Sequence, residues 1–366
     1  MKALGYVLIS LWLSLHSSAA SPLPHPAAAA KASSSSSILE EPLAAAADAE
    51  EAPPPELPIT LNLVGDILLD NPIDSYIRKY GIDYPFQRTA DTLANADITF
   101  GNLETSVSKR GSPADKQFTF RSRPETLESL VNAGFDGVSI ANNHTLDYGF
   151  QALDDTIANL QSYHLGHTGA GQNNDEAFTP YVKEVRGKKV AIIGISRVLP
   201  YASWYSGKNK PGIAHGYSME PMMSYVKKAV KDADYTIVFI HWNKEREDYP
   251  EDYARSYAKA FIDAGVDAVV GAHSHCLQGI EWYKGKPVFY SLGNFVFTSK
   301  TEKSSDSMIL QLALSDSEIG AKVVPAKIVQ TQPRLMDDKY NQAAYAKLNK
   351  ISFNAKVLQD GTVVEK

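Results

Sequence analysis

Side chains that bind divalent metals recur directly after short apolar runs of this sequence. Four of its nine histidines fall at such positions. The full set is Asp66, Glu104, Asn143 with His144, His241, and His273 with His275. Imidazole, carboxylate and amide oxygen form a mixed ligand set that favours Mn, Zn or Fe over a thiolate-rich zinc site. We therefore predict one or two divalent ions, since a carboxylate shared by two ions about 3.5–4 Å apart suits hydrolysis.

Each of these residues, taken alone, also has an ordinary structural explanation. Asp66 follows Gly65 and could be a turn residue, Asn143 tolerates left-handed backbone, and His241 beside Trp242 could be a core histidine. The strongest single motif is Gly271-Ala272-His273-Ser274-His275, because alternate side chains of an extended segment lie on the same side. Five such coincidences together favour a metal site.

The apolar runs before these residues predict strands. They are Leu61–Val64, Ile98–Phe100, Gly137–Ile140, Tyr235–Ile240 and Val266–Val270. Short runs rich in Val and Ile are typical of strands buried on both faces. Helical patterns lie between the runs, at Pro124–Ala133, Gly149–Leu160, Glu220–Val230 and Glu251–Ala264. This alternation predicts parallel α/β sheets, in which ligands bind beyond the carboxyl ends of the strands.

Antiparallel strands are predicted as well. Tyr181–Val185 with Val190–Ile195, and Ile280–Tyr283 with Pro287–Ser291, have the pattern of hairpins. Ser307–Ala313 and Ala321–Val329 add further strands. The folded domain, residues 59–366, is therefore expected to contain two packed sheets with helices outside.

The N-terminal residues are expected to lie outside this domain. Lys2, the apolar stretch Ala3–Leu15 and Ser18-Ala19-Ala20 predict a signal peptide over residues 1–20. An uncleaved N-terminal anchor is the alternative. Residues 21–58 are rich in Ala, Ser and Pro and predict a disordered linker, with a possible helix over Ala44–Glu51. Both alternatives place the domain outside the cytoplasm, secreted or tethered to the cell surface.

Composition excludes some classes of function. The net charge is −6 and no basic block is present, which argues against nucleic-acid binding. The single cysteine, Cys276, excludes an internal disulfide.

The ordered motifs resemble the CapA family of poly-γ-glutamate capsule biosynthesis proteins. The matching segments are Asn102-Leu103-Glu104, Ala141–His144 with Asp147-Tyr148-Gly149, His241-Trp242 with Glu245, Gly271–His275, and Tyr290–Phe297. The resemblance covers about residues 59–297. It implies a four-layer α/β/β/α sandwich similar to the calcineurin-like metallophosphoesterases. It also implies a cell-surface role in poly-γ-glutamate synthesis or export.

The resemblance further implies roles for single residues. Asp66 is similar to the first-strand aspartate of calcineurin-like phosphoesterases, and Glu104 stands where they carry a bridging aspartate. The other implied metal ligands are Asn143, His241, His273 and His275. His144 is implied to protonate the leaving group. Leu68 departs from the pattern, because phosphoesterases usually have an imidazole there.

Three functions remain open at this point. The first is a metal-dependent hydrolase that cleaves poly-γ-glutamate or another anionic polymer, with Arg121, Arg123 and Lys116 available to neutralise substrate carboxylates. Glu245 and Asn294 could contact substrate or support a ligand. The second is a non-catalytic accessory subunit that binds polymer beside membrane-bound polyglutamate synthase subunits, which Leu68 favours. The third is a secreted phosphoesterase, since fold alone does not determine function.

Overall fold

The apolar runs form strands of two large β-sheets in the computed structural model, which describes residues 57–366. The strands are, in chain order, β1 Ile59–Ile67, β2 Ile98–Leu103, β3 Ser106–Val107, β4 Arg121–Ser122, β5 Gly137–Ser139, β6 Gly166–Thr168, β7 Ala170–Gly171, β8 Tyr181–Val185, β9 Lys188–Ser196, β10 Gly212–Ile213, β11 Tyr235–His241, β12 Ala268–Ala272, β13 Ile280–Tyr283, β14 Lys286–Phe289, β15 Asn294–Val296, β16 Asp306–Leu314, β17 Ile319–Val329, β18 Gln332–Leu335, β19 Ala355–Val357 and β20 Thr362–Glu365. The predicted signal peptide, the linker as far as residue 56 and the possible helix over Ala44–Glu51 lie outside the described residues.

Helices lie between the strands, and several of them connect parallel neighbours. They are α1 Ile73–Tyr80, α2 Ala90–Leu93, α3 Glu128–Asn132, α4 Gly149–Ser162, α5 Asn174–Ala177, α6 Met222–Asp232, α7 Asp252–Asp263, α8 Glu302–Ser305 and α9 Asp338–Ile351. The predicted helix Pro124–Ala133 begins as a 3-10 turn, Pro124–Leu127, before α3 continues it. Within residues 57–366, no helix is both long enough and apolar enough to cross a membrane.

Both sheets contain parallel and antiparallel strands. The first sheet runs in the order β19-β20-β17-β16-β1-β2-β5-β6, with β15 beside β1 and β18 beside β17. The second runs β13-β14-β12-β11-β9-β8. Strands β1, β2, β5 and β6 are mutually parallel, as are β9, β11, β12 and β14. The two predicted hairpins pair β8 with β9 and β13 with β14.

Three apolar clusters separate four layers. Leu63 of β1 and Phe239 of β11 belong to the cluster between the two sheets. Their neighbours Val64 and Ile240 face the opposite way, because successive strand residues point to opposite faces. Val64 packs in the cluster with α1, α3 and α4, and Ile240 in the cluster with α6 and α7. The predicted four-layer α/β/β/α architecture is confirmed.

The register of the parallel strands aligns their carboxyl ends. Asp66 of β1 lies opposite Asn102 of β2 and Asn294 of β15. His241, the last residue of β11, lies opposite Ala272 of β12. The residue after Ala272 is His273, so ligands from both sheets emerge at one edge.

Candidate metal centre

Five of the predicted ligands come together in two overlapping groups. One consists of Glu104, His241 and His273, and the other of Asp66, Glu104 and His275. In each group the ligand atoms lie within 4.8 Å of one another. Glu104 belongs to both groups, and its Oε1 lies 3.9 Å from Nε2 of both His241 and His275. The carboxylate that the resemblance places in a bridging position therefore lies between the two groups.

Unsatisfied polar atoms face this point. Asp66 Oδ2, Glu104 Oε1 and His273 Nδ1 are buried and have no hydrogen-bond partner among the described residues. His275 Nδ1 is 3.2 Å from Asp66 Oδ2, but it forms a hydrogen bond with Asn294 Oδ1 at 2.9 Å. A buried polar atom without a partner costs free energy, and native proteins rarely leave three together. Carboxylate oxygens and an imidazole nitrogen are ligands that a divalent ion would satisfy, so the residues fit the metal that the fold family implies.

The charges in this interior also favour a cation. Burial, and then the neighbouring Asp66, raise the pKa of Glu104 well above its usual value. Burial also lowers the pKa of His273 to about 3 and that of His241 well below its usual value, with neighbouring imidazoles adding to both shifts. Burial opposes the charge of His275 too, yet Glu104 and Asp66 raise its pKa to about 10. The neutral imidazoles of His241 and His273 beside two crowded carboxylates suit metal binding, which requires deprotonated ligands, and His275 would release its proton to an ion that binds there.

Asn143 lies beside the first group. Its Oδ1 is 2.8 Å from His241 Nε2. Two atoms that bind the same ion each lie about 2.0–2.2 Å from it and therefore stand close to each other. The predicted sixth ligand is therefore placed where it could share an ion with His241.

His144 faces the centre but makes its closest contact with a different carboxylate. Its Nε2 is 3.8 Å from Glu104 Oε1, while Nδ1 lies 2.6 Å from Asp147 Oδ2. Lys116 Nζ donates to Asp147 Oδ1 at 2.6 Å and to the carbonyl of Asn143 at 2.6 Å. Burial lowers the pKa of His144, and Asp147 partly opposes that shift. Asp147 thus fixes the ring so that Nε2 faces the centre.

The backbone at His273 and His275 corrects one expectation. Strand β12 ends at Ala272, and the two histidines have φ angles of 92° and 53°. The expectation of an extended His-Ser-His segment was wrong, because this region is a bend in left-handed backbone. Such angles are strained for residues other than glycine and cluster at functional sites. The bend brings the two imidazole centroids to 5.9 Å.

The remaining predicted residues differ in how they relate to the metal centre. Asn294 lies at the centre through its hydrogen bond with His275. Glu245 is exposed, and its negative charge contributes to raising the pKa of His275. Arg123 is not brought to the centre, because its guanidinium binds Asp74 through Nη2 at 2.6 Å and Nε at 2.9 Å. Arg121 packs over the ring of Tyr148, next to Asp147, at 4.2 Å.

Two residues of this site, Asn102 and Asp147, lie in the motifs that carry the resemblance but were given no role from the sequence. Asn102 Nδ2 donates to Asp66 Oδ1 at 2.9 Å and lies 3.3 Å from His241 Nδ1, so one amide connects the two sheets. Asn102 lies in β2, two residues before Glu104, and residues two apart in an extended segment share a face. This spacing could have predicted that Asn102 lies at the centre. Asp147, three residues after His144, could be found by the same attention to spacing. The buried position of Leu68, in the cluster against the helices, agrees with the absence of a ligand there.

Comparison with known proteins identifies the family. Residues 60–299 match the family described as bacterial capsule synthesis protein PGA_cap. This chain belongs to that family. The predicted resemblance to CapA proteins is therefore confirmed.

Two curated relatives are similar over most of the chain. Capsule biosynthesis protein CapA of Bacillus anthracis is 34% identical over 75% of this chain and 69% of its own length. PGA biosynthesis protein CapA of Bacillus subtilis is 31% identical over 75% of this chain and 73% of its own length. Among solved structures, the NAD nucleotidase NadN of Haemophilus influenzae matches 83% of this chain and 65% of its own, at 12% identity and a TM-score of 0.46. A likeness that distant supports no statement about function.

Proposed function

We propose that this CapA-like capsule biosynthesis protein is a metal-dependent hydrolase of poly-γ-glutamate, acting outside the cytoplasm. The observation that carries the proposal is Glu104, a fully buried carboxylate that lies between two groups of metal-ligand side chains. The names of the two relatives support a role in poly-γ-glutamate biosynthesis, and the metal-ligand residues support hydrolysis as the reaction. The signal pattern over residues 1–20 supports the extracytoplasmic location, which suits a polymer that is exported.

The chain's own residues would divide the work as follows. Asp66, Glu104, Asn143, His241, His273 and His275 would hold one or two divalent ions. Such ions activate water and polarise a carbonyl when bound. His144 would hold a proton at Nε2 and donate it to the amine that leaves as the amide bond breaks. Asp147 would keep the ring in place and stabilise its protonated form.

The ligand set supports a choice among metals. It contains imidazole and carboxylate and no thiolate, because Cys276 makes its contacts with Ser274 and the carbonyl of Glu247 instead. We propose Mn, Zn or Fe in this site. Arg121, whose guanidinium pairs with no carboxylate among the described residues, is our candidate for binding a substrate carboxylate.

The decisive experiment combines metal content with a cleavage assay on the full chain. Wild type should hold one or two divalent ions and shorten poly-γ-glutamate on a gel. The variant His144→Ala should keep its metal and lose cleavage by roughly 10²- to 10⁴-fold, the usual contribution of a general acid. His164→Asn is the matched control, because His164 is exposed in the turn after α4 with φ 57°, which Asn tolerates. Equal cleavage by wild type and His144→Ala would remove His144 from the mechanism.

A non-catalytic role is the second candidate. The ligands Asp66, Glu104, His241 and His273 are 0–4% exposed, and Leu68 supplies no imidazole. Both features suit a protein that binds polymer beside membrane-bound synthase subunits rather than cutting it. If wild type holds metal and binds the polymer, yet cleaves neither poly-γ-glutamate nor a phosphate ester, this role replaces hydrolysis. Cleavage of phosphate esters alone would instead favour a secreted phosphoesterase.

A further inference from the structure

A second arginine, Arg197, follows a strand end beside the metal ligand His241, and its guanidinium has no acidic partner among the described residues. Arg197 is the residue after the last residue of β9, and its backbone N–H donates to the carbonyl of His241 at 2.8 Å. It is half-buried, and its Nε is buried without a hydrogen-bond partner in the described residues. None of the ion pairs formed by residues 57–366 includes it. In a chain with 42 acidic residues, a half-buried arginine without a carboxylate needs an explanation.

Aromatic rings hold this guanidinium in place. Its central carbon lies 4.0 Å from the ring centroid of Tyr253, 5.3 Å from that of Tyr217 and 5.4 Å from that of Tyr257. The Tyr253 hydroxyl accepts a hydrogen bond from the backbone of Asn243, two residues beyond His241. Packing against aromatic rings restricts the motion of a guanidinium, which lowers the ordering cost when its terminal N–H groups bind an anion.

Arg197 and Arg121 belong to opposite layers of the molecule. Arg121 lies in β4 and packs on Tyr148, just before α4, on the helical side of the first sheet. Arg197 follows β9 and packs on Tyr253 in the first turn of α7, which covers the second sheet. The metal centre takes Asp66 and Glu104 from the first sheet and His241 from the second. The centre therefore draws its ligands from the two sheets whose outer sides carry these two arginines, and neither arginine has a carboxylate partner among the described residues.

We infer that Arg197 and Arg121 bind carboxylates of one anionic polymer that lies across the metal centre. The inference rests on the proposed function for the identity of the polymer, poly-γ-glutamate. A chain that carries one carboxylate per residue can place one on each guanidinium while a backbone amide lies at the centre between them. Planar, bidentate binding of carboxylates is the geometry that arginine favours.

The test is polymer binding by the full chain, measured as fluorescence anisotropy of labelled poly-γ-glutamate. Arg197→Gln and Arg121→Gln should each weaken binding roughly tenfold, the effect of losing one charge-assisted contact. The double variant should weaken it roughly a hundredfold, because separate sites add. Metal content and the midpoint of thermal unfolding should stay at the wild-type values. Lys228→Gln is the control of equal charge change. Lys228 is exposed on α6, the helix that leads into the start of β11, and the metal ligand His241 lies at the other end of that strand.

The outcomes separate this inference from the proposed hydrolysis. If Arg197→Gln binds the polymer as well as Lys228→Gln does, or if wild type binds no polymer, Arg197 has no such role. If the arginine variants lose polymer binding while wild type cleaves nothing, the hydrolase proposal fails and the inference that the two arginines bind the polymer is supported. If Arg197→Gln does not fold, Arg197→Lys decides, because it keeps a charge beside the tyrosines without the fork. Weakened binding by that variant supports the inference, and wild-type binding overturns it.

Discussion

The variant Glu104→Gln should have opposite effects on the metal-free and the metal-loaded protein. Glu104 is fully buried beside the carboxylate of Asp66, and its Oε1 has no hydrogen-bond partner among the described residues. Without metal, a neutral amide at this position removes the repulsion with Asp66 and part of the cost of burying a carboxylate. We expect this change to stabilise the fold by about 1–2 kcal/mol. For a domain of this size, such a gain raises the midpoint of thermal unfolding by roughly 1.5–3 °C.

With metal the order should reverse. Glu104 belongs to both ligand groups, so its loss weakens every ion at the centre, whereas His273→Ala weakens only the group that contains His273. Loss of a residue that only supports a ligand typically weakens metal binding up to 100-fold. Loss of a shared ligand should weaken it at least that much, and a 100-fold change corresponds to about 2.7 kcal/mol. The stabilisation that metal confers on wild type should then shrink by a similar amount.

Thermal unfolding of wild type, Glu104→Gln and His273→Ala, each with chelator and with Mn²⁺ or Zn²⁺, checks this reasoning. Metal content by elemental analysis accompanies each sample. A Glu104→Gln protein that unfolds at a lower temperature than wild type in chelator would refute the argument from burial. One that holds as much metal as wild type would refute the shared position of Glu104.

Three further predictions concern other residues. Asp147→Asn should keep its metal and lower kcat roughly 10- to 100-fold, because the ring of His144 loses the carboxylate that orients it; a fall in metal content instead would make Asp147 a structural residue. Leu68→His should not add a ligand, because Leu68 packs in the core against the helices; we expect a loss of about 2–4 kcal/mol in the free energy of unfolding with no extra ion per chain. Asp97 is held by Arg186 and Thr60, and its pKa falls to about 2, so its stabilising effect is present above the ordinary value of 3.8 and disappears as the pH falls through 2. Asp97→Asn should therefore cost about 1 kcal/mol at pH 7 and nothing at pH 1.5, as denaturant unfolding at the two pH values would measure; an equal loss at both would contradict it.

The positions of the ligands along the chain followed from local patterns. Apolar runs of three to six residues predict strands without knowledge of the rest of the fold, and a polar residue that follows such a run lies at a strand end. Asp66, Glu104 and His241 were found in this way, and the structure places all three at one edge. The layer architecture was predictable for the same reason, since alternation of strand and helix is a local signal.

Contacts between distant segments were not predictable. Arg123 was a candidate for substrate binding until its pairing with Asp74, 49 residues away, became visible. Arg197 gave no signal, because the tyrosines that surround it come from separate segments of the chain. The sequence by itself determined which metal-ligand side chains the protein has and in what order they occur, because residue type and strand periodicity are local properties. Only the tertiary structure decided which of them share a point in space, through the left-handed bend at His273 and His275 and the amide of Asn102 between the sheets. Those features depend on packing between the two sheets, which no single stretch of sequence contains.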